Sequence, residues 1–167
     1  WFSQTSQLLQ PMWGVRASVS PTAIRNRRFA VPWRFVADSV TAWVPTLVPD
    51  SDENYRRVIG EIDRLMEMQE GRPVAQAVGV HYEGVFANEK MCGALRPEYF
   101  KKYTGGELAE LPRLKSGVHM MTFAPEVEGG IELAAEFVRQ GWIASIGHTR
   151  ADTETLDKAF TAGARHM

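Results

Sequence analysis

Three features of the sequence predict an α/β fold built on a parallel sheet. Short, nearly continuous apolar runs alternate with amphipathic helical segments through residues 41–167, the pattern of strands whose two faces are both covered. The polar residues that interrupt it stand just beyond the predicted strand ends: Glu83, then Pro125 and Glu126, then Gly147, His148 and Thr149. A (β/α)8 barrel collects such positions on the rim at the carboxyl ends of its strands, and a doubly wound open sheet gathers them at one edge. The third feature is size: 167 residues, 44% hydrophobic and 23% charged, suffice for one globular domain with a core of its own.

The elements follow in order. Residues 41–48 form a short apolar run with Pro45 inside it, and Pro49, Asp50, Ser51 and Asp52 supply turn and helix-cap chemistry. A helix is expected next, because Tyr55, Val58, Ile59, Ile62, Leu65 and Met66 recur at helical spacing while Glu53, Arg57, Glu61 and Arg64 take the other face; Gly71 and Pro73 end it. Residues 74–80 read as a second strand. A long insertion follows, with a short helix at 97–103. Residues 118–124 are a third strand, 130–140 a helix stopped by Gly141, and 142–146 a fourth strand. Asp152 caps a third amphipathic helix carrying Leu156, Ala159 and Phe160 as far as Gly163, and residues 164–167 begin a fifth strand.

Residues 1–39 differ from the rest. Their basic residues are all arginine (Arg16, Arg25, Arg27, Arg28, Arg34), their one acid is Asp38, and neither a helical nor a strand period runs through them. A disordered basic arm is one reading, although Trp13, Phe29, Trp33 and Phe35 make the stretch unusually aromatic for one. The segment lacks a basic region ahead of an apolar core, so no signal peptide is expected, and no run nears the roughly 18 apolar residues of a spanning helix. A net charge of −1 gives no reason to expect a nucleic-acid or membrane-surface partner. Cys92 is the sole cysteine, which excludes an internal disulfide and a thiolate zinc cluster and fits a cytoplasmic setting.

Glu83 and His148 carry the chemistry. A carboxylate and an imidazole delivered from separate strand ends are ligand types for zinc or iron, and an open coordination position on such an ion activates water. Each residue also has an ordinary reading: a surface glutamate in a glycine-bordered loop, and a helix-entry turn at Gly147-His148-Thr149. His119, inside the third strand, reads as a satisfied core histidine, Asp152 as a helix cap, and Asp157 as an exposed helix residue.

The segment His81-Tyr82-Glu83-Gly84-Val85-Phe86 is similar to the His-Leu-Glu-Gly-Pro-Phe signature of the N-acetylglucosamine-6-phosphate deacetylases, members of the amidohydrolase superfamily. Four further segments agree in order and spacing: residues 40–48; Gly93-Ala94 with Pro97-Glu98-Tyr99; Thr122-Phe123-Ala124-Pro125-Glu126; and Ile146-Gly147-His148-Thr149 with Ala151. Together they span residues 40–167. The resemblance implies a (β/α)8 barrel, incomplete over these residues, that hydrolyses the acetamide of N-acetylglucosamine 6-phosphate to glucosamine 6-phosphate and acetate.

Carried over by position, Glu83 is the implied carboxylate ligand of a divalent metal, zinc or iron, and His148 the first of two histidine ligands. The second family histidine and the aspartate that moves the proton are expected beyond Met167, so no catalytic base is assigned here; His166 is expected to be an ordinary strand residue. The resemblance places Ala94, through its backbone, and Leu95 beside the sugar phosphate. Leu95 stands where many members carry histidine, and Val85 replaces the usual proline. Neighbouring Arg96 is a candidate phosphate-binding guanidinium, with a solvated loop cation as its ordinary alternative. Glu126, in the Ala-Pro-Glu turn, is expected to support the rim.

Family members carry a His-x-His-Gly strand ahead of the region matched by residue 40, and residues 1–39 contain no histidine; a shifted reading frame over that stretch is the expectation. The 167-residue chain by itself is expected to have little or no activity, since half a barrel leaves open sheet edges and uncovered apolar strand faces that favour aggregation. Homodimerisation and a cytoplasmic location are further implications. Two alternatives stay open: another metal-dependent amidohydrolase, or a non-catalytic sugar-phosphate-binding module.

Overall fold

A computed structural model describes residues 7–9, 17–19, 32, 35, 36 and 39–167. The expectations for residues 1–39, a basic arm or a shifted frame, fall almost wholly outside these. Within that stretch β1 (Gln7–Leu9) pairs antiparallel with β2 (Ala17–Val19).

The remaining strands are parallel. β3 (Ala42–Trp43) pairs with β5 (Gln76–Ala77), and a four-stranded sheet runs β4 (Thr46–Leu47), β6 (Gly79–Phe86), β7 (Val118–Phe123), β8 (Ile143–Ile146). Spatial order follows chain order without reversal. The predicted fifth strand begins where expected: Ser145 forms a parallel bridge with His166, Ile146 donates its N–H to the His166 carbonyl at 2.8 Å, and Arg165 donates to Ala144 at 3.0 Å.

The run at 41–48 is broken into two pieces around Val44 and Pro45, because proline has no N–H to give the ladder; its carbonyl still accepts from His81 N at 2.8 Å. A second break separates β5 from β6, and there the side-chain amide of Gln69 substitutes for a strand neighbour. It donates to the Ala77 carbonyl at 2.7 Å and accepts from Ala77 N at 2.8 Å.

Helices connect the strands. α1 (Asp52–Gln69) starts at Ser51, whose hydroxyl accepts from Asn54 N, and buries Tyr55, Val58, Ile59, Ile62 and Leu65. α2 (Glu107–Glu110) is a single turn in the long insertion. α3 (Gly130–Arg139) buries Leu133, Ala134 and Phe137, and α4 (Thr153–Ala162) is capped by Asp152, which accepts from Thr155 N at 2.8 Å. The helix expected at 97–103 is only a 3-10 turn, Pro97–Tyr99, and a second such turn spans Glu89–Met91. No helix among the described residues is long and apolar enough to cross a membrane.

The pairing register sorts side chains onto two faces. Leu47, Val80, Tyr82, Met121, Phe123, Ala144 and Ile146 share the face covered by the helices and are buried. Their packing is largely aromatic: Tyr82 lies edge-on to Tyr55 with ring centroids 5.1 Å apart, and Phe123 edge-on to Phe137 at 5.2 Å. The other face carries Thr46, His81, Glu83, Met120, Thr122 and Ser145. That corrects the expectation of strands apolar on both faces. Apart from Met120, the residues named on the second face are polar, and they alternate with the core residues closely enough to be read as one apolar run.

Candidate functional site

Glu83 is not on a loop beyond a strand, as its flanking glycines imply, but inside β6, which continues to Phe86. Glycine is what lets the strand go on. Gly84 has φ +76°, and the pairing of β6 with β7 shifts between Glu83 and Phe86, so Gly84 and Val85 bulge and the carboxylate is presented at the carboxyl end of the sheet. A side chain at Gly84 would also meet the Leu95 Cδ1 at 2.5 Å.

His148 arrives from the segment after β8 and comes to Glu83 across the end of β7. Its Nε2 lies 3.2 Å from the Glu83 Oε1. On the other side of the ring, Nδ1 is 2.9 Å from the Met91 carbonyl oxygen. A carbonyl can only accept, so Nδ1 carries the proton and donates it to Met91. The nitrogen facing Glu83 is therefore either a second N–H, in an imidazolium, or a bare lone pair. The Glu83 carboxylate, by hydrogen bonding, holds the imidazole above its ordinary value of 6.5 against the opposing effect of burial, and Met91 adds to the rise.

The lone-pair state places two donors, one anionic, 3.2 Å apart, which a cation between them stabilises. Zinc bonds of about 2.0–2.1 Å to oxygen and nitrogen, meeting at about 100–105°, hold their donor atoms at about this separation. The fixed Nδ1–H to a backbone carbonyl is the usual orientation of a metal-binding histidine. The pair fits a divalent ion as two of its ligands. Among the described residues no group of three or more His, Cys, Asp or Glu side chains is placed to hold a metal.

Two residues around the pair matter. His81, two positions before Glu83 and on the same face, has Nδ1 3.1 Å from the Thr46 hydroxyl and Nε2 2.7 Å from the Thr122 hydroxyl. Burial pushes its imidazole down to about 4, with Glu83 opposing and His148 adding to the effect. A depressed histidine leaves stability intact above pH 6.5 and removes it as pH falls towards 4, because only the unfolded chain then takes up the proton. The loss from this group should reach about 2–3 kcal/mol by pH 4.5. Urea unfolding at pH 7.5 and 4.5 should show a smaller acid loss in His81→Asn than in the parent, and equal losses would refute the assignment.

Glu126, expected to support the rim, accepts three hydrogen bonds from two loops. It accepts from Asn88 Nδ2 at 2.8 Å, Arg150 N at 2.6 Å and the Thr149 hydroxyl; the Thr149 oxygen accepts in turn from Ala151 N at 2.9 Å. Burial alone raises the Glu126 carboxyl, and these donors outweigh it, leaving it below the ordinary range.

The residues carried over for substrate contact separate. Ala94 is exposed, whereas Leu95 is buried against Gly84. The Arg96 guanidinium is engaged within the chain: it pairs with Asp50 at 2.9 Å, donates to the Pro49 carbonyl at 3.1 Å and lies 4.6 Å from the Tyr99 ring centroid. This pins the loop after β6 to the start of α1. His119 accepts from Leu114 N at 2.9 Å and packs on Trp142, as a satisfied core histidine. Sequence reasoning missed Met91, which acts through its backbone and leaves no side-chain signature, and Asn88, whose capping of the Glu89–Met91 turn was the available signal.

A carboxylate and an imidazole converging at the carboxyl edge of a parallel sheet place this chain among α/β proteins with a rim-type site. Comparison with known proteins narrows the class. The chain is 30% identical over 156 residues to the N-acetylglucosamine-6-phosphate deacetylase of Danio rerio, a match over 91% of this chain and 38% of the relative. The N-acetylglucosamine-6-phosphate deacetylase structure from Thermotoga maritima superimposes with a TM-score of 0.68 at 26% identity, over 83% of this chain and 37% of that one. A mutant of the Mycobacterium smegmatis N-acetyl-D-glucosamine-6-phosphate deacetylase, solved in complex with N-acetyl-D-glucosamine-6-phosphate, gives 0.57 at 26% identity, over 74% and 31%. No protein-family model matches. The chain is related to the N-acetylglucosamine-6-phosphate deacetylases, and it spans about a third of their length.

Proposed function

We propose that this chain contributes part of a (β/α)8 barrel that hydrolyses the acetamide of N-acetylglucosamine 6-phosphate, releasing glucosamine 6-phosphate and acetate. The observation that carries the reading is the convergence of Glu83 and His148 at 3.2 Å, with the histidine tautomer fixed by Met91. Support for the barrel comes from a sheet whose spatial order follows chain order through four strands and into a fifth at His166; a doubly wound sheet reverses its order at the switch point.

Glu83 and His148 would hold a divalent ion, zinc or iron. When bound, it supplies Lewis-acid polarisation of the acetamide carbonyl and lowers the pKa of water. The chain's own residues do the rest of the local work. Met91 orients the imidazole, Gly84 lets the Glu83 carboxylate emerge from the strand, and exposed Ala94 would offer its backbone to the sugar phosphate. The carboxylate also demands that any neighbouring oxygen donor of the substrate be neutral or shielded by the ion. We place the reaction in the cytoplasm, where Cys92 stays reduced and sugar phosphates occur, and the full-length protein in a homodimer.

The test is acetate release from N-acetylglucosamine 6-phosphate by full-length protein loaded with zinc or with iron(II), alongside metal stoichiometry. Metal-dependent acetate release is expected. Protein that binds metal and the sugar phosphate yet releases no acetate would instead be a binding module.

A further inference from the structure

Two loops bring the site together, and one carboxylate holds both of them. The loop after β6 carries Asn88 and, three residues on, Met91, whose carbonyl takes the His148 Nδ1–H. The segment after β8 carries His148, Thr149 and Arg150. Glu126 stands between them on the turn after β7 and accepts hydrogen bonds from Asn88, Thr149 and Arg150. The two loops are also joined directly, Asn88 N donating to the His148 carbonyl at 3.0 Å.

The backbone of His148 needs such support. Its φ of +50° is one of only two positive values at non-glycine positions among the described residues, and a side chain with a β-carbon disfavours that left-handed region. Beside the Asn88 N–H on its carbonyl, the residue is held by contacts on its C-terminal side, the Thr149 hydroxyl and the Arg150 N–H, both to Glu126. Releasing them would leave the left-handed turn with only the Asn88 bond and the Met91 carbonyl to oppose its relaxation.

We propose that Glu126 is a positioning residue for the metal pair: by clamping Asn88 with Thr149 and Arg150 it fixes the left-handed turn that aims His148 at Glu83. This rests on the reading of Glu83 and His148 as metal ligands. Glu126 acts through its neighbours Asn88, Thr149 and Arg150. What it controls is where the ring and its carbonyl partner at Met91 stand relative to each other.

The experiment measures zinc affinity of the full-length protein by competition with a chromophoric chelator, and the visible spectrum of the cobalt(II)-loaded form. Glu126→Ala should weaken zinc binding by about 10–100-fold, the usual cost of losing a residue that orients a ligand, and should shift the cobalt bands. Glu126→Gln should stay within about threefold of the parent, because its amide oxygen still accepts from Asn88 and Arg150. Thr149→Val removes one donor without touching the carboxylate and should give an intermediate loss, which keeps the test open if Glu126→Ala does not fold. Unchanged zinc affinity and cobalt spectrum in Glu126→Ala and Thr149→Val, with lowered thermal stability alone, would make Glu126 merely structural and overturn the proposal. If Glu83→Gln and His148→Ala themselves bind zinc like the parent, the metal reading fails first.

Discussion

Glu83→Gln in the full-length protein is expected to lower metal affinity by more than about 100-fold, since losses of 10–100-fold already follow from residues that only orient a ligand. The substitution is nearly isosteric. It leaves the Gly84 bulge and the β6–β7 pairing in place, so the fold should survive while the anionic donor disappears. Acetate release should fall at least as far as metal occupancy, and excess zinc or iron(II) should restore part of it. Equal metal content and activity in the variant and the parent would remove Glu83 from the site. A parallel effect on His148 is expected: with no carboxylate at 3.2 Å, the influence that raises its imidazole is gone, and in the metal-free protein it should titrate nearer its ordinary value.

Phe137→Ala should cost about 3–5 kcal/mol of stability, the range for deleting a buried aromatic ring from a packed core. Phe137 is fully buried on α3, 5.2 Å from the Phe123 ring and 6.3 Å from Trp142. Those three rings bind α3 to β7 and to the entry of β8. The cavity cannot close by small shifts, because the neighbours belong to hydrogen-bonded strands. Urea unfolding checks it: a loss below about 1 kcal/mol would show that α3 is not part of the cooperative core.

The helices were the most legible part of the sequence. Tyr55, Val58, Ile59, Ile62 and Leu65 are buried as their spacing predicts, and Ser51 and Asp152 cap α1 and α4 through their side chains. Strand positions were also clear, but strand ends were not. A glycine after Glu83 reads as a loop by composition, and only the three-dimensional pairing shows it to be a bulge within β6. Threonines 46 and 122 and Ser145 lie among apolar neighbours and do not interrupt a run, so the second, polar face of the sheet stayed hidden until the register was known.

The site divides in the same way. Glu83 and His148 could be named because a carboxylate and an imidazole are chemically distinctive, and the structure brings them together. Arg96 was named for its charge. Charge alone does not reveal that a guanidinium already has Asp50 for a partner. Met91 was invisible because a backbone carbonyl is the same at every residue.

The bulge at Gly84 and the left-handed turn at His148 give the two halves of the site different mechanical characters. Glu83 rises from a strand laddered to β7 and one step beyond the last pair with β4, so its backbone moves only if the sheet does. His148 stands on a turn outside the ladder, secured by the Glu126 side chain and by the Asn88 N–H on its carbonyl. If the pair holds a divalent ion as proposed, adjustment to ions of different radius falls to the histidine half, and an exchange of zinc for iron should be visible as displacement around residues 148–150 while β6 stays still.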